Sequence, residues 1–290
     1  MPMICLFVAL AFGALHGEAE TVVLKDVEFL PEGRNERMDV YLPDSSFEGP
    51  VPAILLIHGG GWMVGDKASR RERMIAETLS NAGYAVFSTN YLLNERDENK
   101  RVTLLAWPQN VIDCKTALRF IRAKAGEYGV DPERIAVMGG SAGGHLSMMV
   151  AATANEEKWN EQGLYPEEDN SVQCVVNLYG PADIRGKPVN PFSRSDKSVI
   201  EAHEEEASPI TYFDSTFPPM LILQGTGDRT IPVEQTREWV AELSEFGFEY
   251  CYVEVAGAPH SFDLNPEELD LRPMVLAFLD KHLRGVGVGQ

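Results

Sequence analysis

The sequence has little positive charge for its length. Of its 290 residues, 25 are Lys or Arg and 44 are Asp or Glu, so the formal net charge is −19 at pH 7. Nucleic acids and anionic membrane surfaces are bound by basic patches. We therefore expect neither a nucleic acid nor a membrane surface as a partner.

Cysteine is also scarce, and paired metal-ligand motifs are missing. Four cysteines are present, with no CxxC and no His-x-His pattern. Zinc sites usually show such ligands at short spacing, so we expect no metal and no other cofactor. Cys114, Cys174 and Cys251 are predicted to be buried, reduced thiols. One disulfide among them is the alternative, because spacing alone cannot pair three cysteines.

Long apolar runs are absent after the first twenty residues. The run from Ile4 to Leu15 is too short to span a bilayer, and Gly17 and Ala19 are small residues at positions where signal peptidase requires them. These features predict a cleaved signal peptide over residues 1–19, and hence a secreted or periplasmic protein. The segment lacks Lys or Arg near its start, so an uncleaved anchor and a cytosolic N-terminal extension are the alternatives.

From Thr21 onward, short apolar runs alternate with longer amphipathic ones. The predicted strands are eight: "TVVLKDVEFL", "MDVYLP", "AILLIHG", "YAVFSTNY", "RIAVMGG", "CVVNLYG", "MLILQG" and "EYCYVEV". The first two are expected to be antiparallel, and helices are predicted around 68–81, 109–125, from 142, 233–246 and 266–283. Such alternation indicates an α/β domain over 20–290, with a mostly parallel sheet covered by helices on both faces.

Two polar, acidic insertions interrupt this alternation, at 154–170 and 181–215. Long excursions within a compact domain are often lids or binding loops. We therefore predict lid-like roles for both segments.

The stretch "VMGGSAGGHL" lies between a predicted strand and a predicted helix. Its spacing, Gly139-x-Ser141-x-Gly143, in that context predicts a nucleophile elbow that exposes the Ser141 hydroxyl. Glycines on either side let strand and helix approach closely, and the helix N-terminus favours developing negative charge. The alternative is a glycine-rich structural turn with no chemical role.

A serine nucleophile needs a base, and His260 is the best candidate. It lies in the loop "AGAPHSF", after the last predicted strand. The other histidines have simpler interpretations as N-terminal, loop-shaping, packed or exposed residues: His16, His58, His145, His203 and His282.

Asp228, in "LILQGTGDRTIP", is the expected third member of a catalytic triad. It follows a predicted buried strand and gives the chain order Ser141, Asp228, His260, which is the order found in α/β-hydrolases. Asp183 and Asp263 are the alternatives.

The glycines of "HGGGW", residues 58–62, follow another buried strand. Backbone N–H groups of Gly60 and Gly61, with that of Ala142, are predicted to form an oxyanion hole. A phosphate-binding loop is excluded because no Lys-Ser/Thr pair follows the glycines.

Together these motifs resemble the α/β-hydrolase superfamily, and in it the HGGG-type esterases related to hormone-sensitive lipase. Within that group the chain resembles the secreted bacterial acetylxylan and feruloyl esterases. The resemblance runs from "ERMDVYLP" to the C-terminus and includes "HGGGWMVGDK", "DPERIAVMGGSAGGHL", "GTGDRTIPVEQT" and "APHSF". It implies the same triad and the same oxyanion hole.

The chain departs from the lipase branch at two points. Gly140 stands where that branch usually has an acidic residue, and strands are predicted where it has an N-terminal helical cap. Many relatives also have an arginine at the position of Leu92. These differences favour the cap-poor acetylesterases, with a small or absent cap.

The resemblance therefore implies a serine carboxylesterase that removes short acyl groups, such as acetyl groups from xylan, through an acyl-enzyme. A feruloyl esterase, a general short-chain carboxylesterase or lipase-like enzyme, a serine peptidase and a non-catalytic binding module are the alternatives. Four aromatic residues near the motifs are candidates to line an acyl or sugar pocket, with the core as their alternative location: Trp62, Trp107, Tyr179 and Phe262.

Overall fold

A computed structural model of the protein describes residues 21–192 and 195–286. The predicted signal peptide at 1–19 lies outside these residues. Within them, the helices are too short or too polar to cross a bilayer.

The central sheet has eight strands, as predicted. They lie in the order β1-β2-β4-β3-β7-β8-β9-β10, and β5 and β6 form a separate small hairpin. The strands are β1 Val22–Val27, β2 Met38–Leu42, β3 Val51–Ile57, β4 Ala85–Thr89, β5 Glu95–Arg96, β6 Val102–Leu104, β7 Val130–Gly140, β8 Cys174–Leu178, β9 Met220–Gly225 and β10 Tyr250–Val255. β1 and β2 pair antiparallel, as does β2 with β4, and all other pairs in this sheet are parallel. The predicted α/β class and mostly parallel sheet are confirmed.

Helices cover both faces of this sheet. They are α1 Arg70–Asn81, α2 Gln109–Ala123, α3 Ala125–Tyr128, α4 Ala142–Ala152, α5 Glu157–Asn160, α6 Lys197–His203, α7 Val233–Phe246 and α8 Arg272–Arg284, with a 3-10 helix at Pro209–Tyr212. Alternate residues of β3 belong to different apolar cores: Leu55 lies in the core that includes residues of α2, α4 and α7, and Leu56 lies in the core that includes residues of α1 and α8. A continuous apolar strand is therefore needed, because both of its faces are buried.

The last helix begins later than predicted. Residues 266–271 are turns and loop, and α8 begins at Arg272. The Asp270 carboxylate accepts a hydrogen bond from the Arg272 backbone N–H at 3.0 Å, which satisfies a group that the first helical turn leaves free.

The first insertion, 154–170, is held along α2. Arg119 donates to the backbone carbonyls of Asn160 and Gln162, and Arg122 donates to that of Asp169. Inside the insertion, Trp159 is fully buried. Arginines of the helical layer therefore anchor this segment at three carbonyl groups. Its lid-like role stays a prediction.

The second insertion, 181–215, follows β8 at the edge of the sheet that carries Ser141. The backbone carbonyl of Ala207 bonds His145 of α4 at 2.7 Å, and the Pro191 carbonyl accepts from Asn94 at 2.7 Å. The described part of this segment is therefore anchored to the helix that begins at the serine. Its lid-like role stays a prediction.

The three cysteines beyond the N-terminal segment are free thiols. Cys114 and Cys174 are buried, as predicted, but Cys251 is exposed. Cys251 lies on β10, the last strand of the sheet, which has a neighbour on one side only.

Candidate active site

Ser141 occupies the turn between β7 and α4. Its backbone has φ 57° and ψ −121°, a conformation that a non-glycine residue rarely adopts. The Ser141 N–H donates to the Leu178 carbonyl at 2.8 Å, which ties the turn to the end of β8. A conformation of this kind costs about 1–3 kcal/mol and persists where the surrounding structure enforces it. The geometry is that of the predicted elbow.

The elbow needs close contact between helix and sheet. A Cβ atom on Gly143 would lie 2.0 Å from the Ile57 carbonyl oxygen, and one on Gly139 would lie 2.4 Å from the Gly143 carbonyl. Side chains at these positions would overlap backbone atoms that cannot move independently. Glycine is therefore required on both sides of Ser141.

His260 and Asp228 meet Ser141 at the carboxyl edge of the sheet. His260 Nε2 lies 2.9 Å from Ser141 Oγ, and His260 Nδ1 lies 2.6 Å from Asp228 Oδ2. An ionised carboxylate only accepts hydrogen bonds, so Nδ1 carries the ring proton and Nε2 accepts from the serine hydroxyl. The structure thus brings together the three side chains selected from the sequence.

Asp228 is held by several donors besides His260. Its Oδ1 accepts from the backbone N–H groups of Thr230 at 2.8 Å and Ile231 at 2.9 Å. Burial tends to raise the pKa of Asp228, but the hydrogen bond from His260 and the backbone donors outweigh it, so the pKa lies below its ordinary value. Asp228 therefore remains a carboxylate.

Sequence reasoning missed Gln224, which also supports Asp228. Its Nε2 donates to Asp228 Oδ2 at 3.1 Å, and its Oε1 accepts from Thr236 at 3.0 Å. Gln224 is fully buried at the end of β9. A lone amide inside the apolar run "MLILQG" was the available signal.

The alternative acids make other bonds. Asp183 forms a two-point ion pair with Arg185, at 2.9 and 3.0 Å. Asp263 accepts from the Asn265 backbone N–H at 2.7 Å. Among the residues that the structure describes, Asp228 and Ser141 are the hydrogen-bond partners of the His260 ring.

His58 and His145 have the structural roles expected of them. The His58 ring stacks on Tyr91 with centroids 4.4 Å apart, and its Nδ1 bonds the Gly59 carbonyl at 2.7 Å. His145 Nε2 bonds the Ala207 carbonyl, and burial lowers the pKa of His145 to about 4. Neutral, buried rings of this kind brace loops. His282, expected to be exposed, has only 11% of its side chain accessible.

The glycine loop after β3 lies against the serine turn. A Cβ atom on Gly59 would lie 3.3 Å from Ser141 Cβ and 2.7 Å from the Gly140 carbonyl oxygen. Gly60 has φ 123°, and a Cβ there would lie 1.8 Å from the Val64 carbonyl oxygen. Gly59 of this loop therefore lies against the serine turn. The oxyanion hole of Gly60, Gly61 and Ala142 stays a prediction.

The four aromatic pocket candidates are buried, with 1–6% of their surface exposed. Trp62 donates from Nε1 to His145 Nδ1 at 3.2 Å, and the Trp107 ring packs on Trp159 at 5.3 Å. Tyr179 and Phe262 pack on each other at 4.6 Å. These contacts are those of the alternative location in the core, and the role of the four rings as pocket lining stays a prediction.

Within 21–192 and 195–286, His, Cys, Asp and Glu side chains do not gather in a group of three that could hold a metal ion. The local chemistry is that of a hydroxyl, an imidazole and a carboxylate in a hydrogen-bonded row.

Residues 38–243 match the family model described as BD-FAE. The chain belongs to the BD-FAE family. Among curated relatives, it is 31% identical to the probable carboxylic ester hydrolase LipM of Mycobacterium tuberculosis over 252 residues. That alignment covers 82% of this chain and 56% of LipM. The chain spans about half the length of the curated relatives it matches, 56–57% for the first three.

Solved structures show the same α/β-hydrolase fold for this BD-FAE chain. A truncated carbohydrate esterase from gut microbiota has a TM-score of 0.78 at 22% identity, with 91% of this chain and 96% of that chain covered. A propionate-bound esterase, Est2, of the planctomycete Thermogutta terrifontis has a TM-score of 0.69 at 25% identity, with 93% and 94% covered. The fold predicted from the resemblance is confirmed.

Proposed function

We propose that this protein is a serine carboxylic ester hydrolase that cleaves short-chain acyl esters through an acyl-enzyme. The observation that carries the proposal is the hydrogen-bonded row Ser141–His260–Asp228 on a strained strand-to-helix turn. Nucleophile and base lie at hydrogen-bonding distance, and a third group orients the base.

In the first step, Ser141 Oγ attacks the ester carbonyl while His260 Nε2 takes its proton. The resulting imidazolium donates from Nδ1 to Asp228, whose negative charge stabilises it. The negative oxygen of the tetrahedral intermediate is bound by the N–H groups of Gly60, Gly61 and Ala142. One such donor typically contributes about 3 kcal/mol to the transition state.

Collapse of this intermediate breaks the ester C–O bond, and His260 returns its proton to the leaving alcohol. Water then attacks the acyl-serine, with His260 as the base again, and releases the carboxylic acid. Ser141 and the neutral imidazole are regenerated, so the cycle needs no metal or organic cofactor.

One relative supports ester hydrolysis, and another supports short acyl groups as substrates. LipM is called a probable carboxylic ester hydrolase. The Thermogutta terrifontis esterase, 25–26% identical to this chain, has been solved with propionate, with butyrate and phosphorylated by paraoxon. Paraoxon is an organophosphate, and reagents of that class react with activated serines.

For the natural substrate we propose acyl groups on a polysaccharide, acetylated xylan being the first to test. The residues before β3 form the strands β1 and β2 where a helical cap would otherwise lie. A small cap leaves an open cleft, which suits an acyl group that protrudes from a large polymer. Export through the segment 1–19 is part of the same proposal, and N-terminal sequencing of the mature protein would test it.

Hydrolysis of p-nitrophenyl acetate by the purified protein tests the reaction. We expect turnover that the Ser141→Ala variant loses by at least about 10³-fold. Turnover that persists in Ser141→Ala would overturn the assignment. Stoichiometric labelling of Ser141 by a fluorophosphonate separates a catalytic protein from a binding module.

The substrate class is tested by a second series. Rates on p-nitrophenyl esters of rising chain length, acetylated xylan and methyl ferulate are compared. Acetate release from xylan with a steep fall beyond short acyl chains is expected. Preference for methyl ferulate would favour a feruloyl esterase instead.

A further inference from the structure

Three groups beside the triad form a hydrogen-bonded chain that the mechanism above does not use. Arg71 Nη1 of α1 donates to Tyr179 Oη at 2.9 Å. Tyr179 Oη donates to the Phe262 backbone carbonyl at 2.6 Å. Phe262 lies two residues after His260, so the chain ends on the loop that carries the base.

Tyr179 also touches the catalytic ring directly. Its ring packs edge-on against His260 with centroids 4.8 Å apart, and against Phe262 at 4.6 Å. Burial raises the pKa of Tyr179, so its hydroxyl remains protonated and can donate. The tyrosine thus fixes the His260 loop by a backbone hydrogen bond and the imidazole by ring packing.

Arg71 is fixed in turn by Glu72. The buried Glu72 carboxylate accepts from both Nε and Nη2 of Arg71. The guanidinium therefore has its charge balanced and its orientation set before it meets Tyr179. Only one rotamer of the tyrosine hydroxyl then satisfies both neighbours, because the oxygen must accept from Arg71 and donate to Phe262.

The same two side chains fill the space beneath the reacting serine. A Cβ atom on Gly140 would lie 2.8 Å from Tyr179 Oη and 3.2 Å from Arg71 Nη1. A Cβ atom on Gly59 would lie 2.9 Å from Arg71 Nη2. The pair therefore touches the serine turn, the oxyanion loop and the histidine loop at once.

We propose that Arg71 and Tyr179 are positioning residues that set His260 against Ser141. The proposal rests on the esterase function and adds to it the residues that align its base. It also explains Gly140, because an acidic side chain at that position would collide with the Tyr179 hydroxyl.

Tyr179→Phe is the principal test, and Tyr84→Phe is its matched control. Tyr84 is also fully buried, donates to Asp280 at 2.5 Å and has Arg284 over its ring at 4.2 Å. It precedes β4, however, at the end of the sheet opposite to Ser141. We expect Tyr179→Phe to lower kcat on p-nitrophenyl acetate about 10- to 100-fold with KM within about twofold. Tyr84→Phe should leave kcat unchanged. It should nevertheless lower the midpoint of unfolding at least as much as Tyr179→Phe does.

A His260→Ala background distinguishes positioning of the base from a general effect on the site. In that background, Tyr179→Phe should not lower the residual rate further, because the group it aligns is gone. A further loss of about tenfold would show that Tyr179 acts on the serine turn or the oxyanion hole, and would overturn the proposal.

Arg71 is tested by graded substitution. Arg71→Met should lower kcat about as much as Tyr179→Phe, the double variant should be no worse than either, and Arg71→Lys should recover part of the loss. Additive losses would contradict a single hydrogen-bonded chain from Arg71 to the Phe262 carbonyl.

Unchanged kcat in Tyr179→Phe, with Ser141-dependent turnover intact in the parent, would overturn this inference alone. Absence of turnover in the parent would instead overturn the esterase function.

Discussion

The serine turn and the histidine loop reach the same edge of the sheet by different means. Around Ser141, neighbouring residues set the geometry: glycines at 139 and 143 permit a contact of strand and helix that any Cβ would block. Around His260, distant residues set it: Asp228 lies after β9, Tyr179 after β8 and Arg71 on α1. One half of the site is therefore encoded locally, and the other depends on the whole fold.

This contrast has a consequence for variants of the two halves. Damage to the serine turn should disturb the fold together with the activity, because backbone atoms of β3, β7 and α4 meet there. Damage to the histidine loop should reduce the activity and leave stability nearly intact, because side-chain contacts hold it.

The largest effect is expected for Asp228→Asn. The amide oxygen can still accept from Thr230 and Ile231, so the loop keeps its shape. The amide nitrogen cannot accept from His260 Nδ1 or from Gln224 Nε2, so the ring adopts the wrong tautomer, and kcat should fall about 10⁴-fold. Steady-state kinetics and urea unfolding check both parts; a matching loss of stability would contradict the side-chain view of this loop.

Gly143→Ala, in the serine turn, should lower stability as well as activity, in contrast to Asp228→Asn. The added methyl group would lie 2.0 Å from the Ile57 carbonyl oxygen, so strand and helix must separate. Overpacking of this kind costs about 1–3 kcal/mol in the free energy of unfolding, and kcat should fall as the turn shifts. Gly126→Ala is the control, because a Cβ there meets open space. A stable but inactive Gly143→Ala protein would show that the turn is less coupled to the fold than proposed.

A variant of His145 tests whether a contact between residues distant in sequence also stabilises the half of the site that contains Ser141. Burial lowers its pKa to about 4 from an ordinary value of 6.5, so the unfolded chain takes up a proton that the folded chain refuses. The free energy of unfolding should therefore fall as the pH drops from about 6.5 to about 4, by up to about 1.4 kcal/mol per pH unit. Urea unfolding at pH 7.5 and pH 5 should show a smaller loss in His145→Gln than in the parent. The part that persists is expected from His58 and His282, whose pKa values burial also lowers. The half-exposed His203 gives the control variant, His203→Gln, which should keep the pH dependence.

The smallest effect is expected for Asp183→Asn. This acid was an alternative third member of the triad, but it pairs with Arg185 near the surface. Surface ion pairs contribute about 0–1 kcal/mol, so stability and kcat should both change little. A loss of activity near that of Asp228→Asn would reverse the assignment of the two acids.

Most of the sheet could be predicted, because a strand buried on both faces is an unbroken apolar run. The hairpin of β5 and β6 was missed, since its strands are two and three residues long and largely polar. The anchoring of the first insertion could not be predicted for another reason. The acidic composition of both insertions indicates exposure to solvent, but Arg119 and Arg122 of α2 bind the backbone of the first insertion.

Among site residues, those with a local motif were found and those without one were not. Ser141 and Gly60 stand in short patterns whose geometry follows from their neighbours. Gln224 and Arg71 have no such pattern, and their roles depend on side chains up to 108 positions away, as for Arg71 and Tyr179.

The sequence by itself determined the α/β class, the strand-to-helix turn at Ser141 and the chain order of serine, aspartate and histidine. These features depend on periodicity and on the conformations of neighbouring residues, which the order of residues specifies directly. Tertiary structure decided which carboxylate meets His260, and it placed four aromatic side chains in the core. It also put Arg71 and Tyr179 under the serine, because only a folded sheet brings the ends of separate strands to one edge.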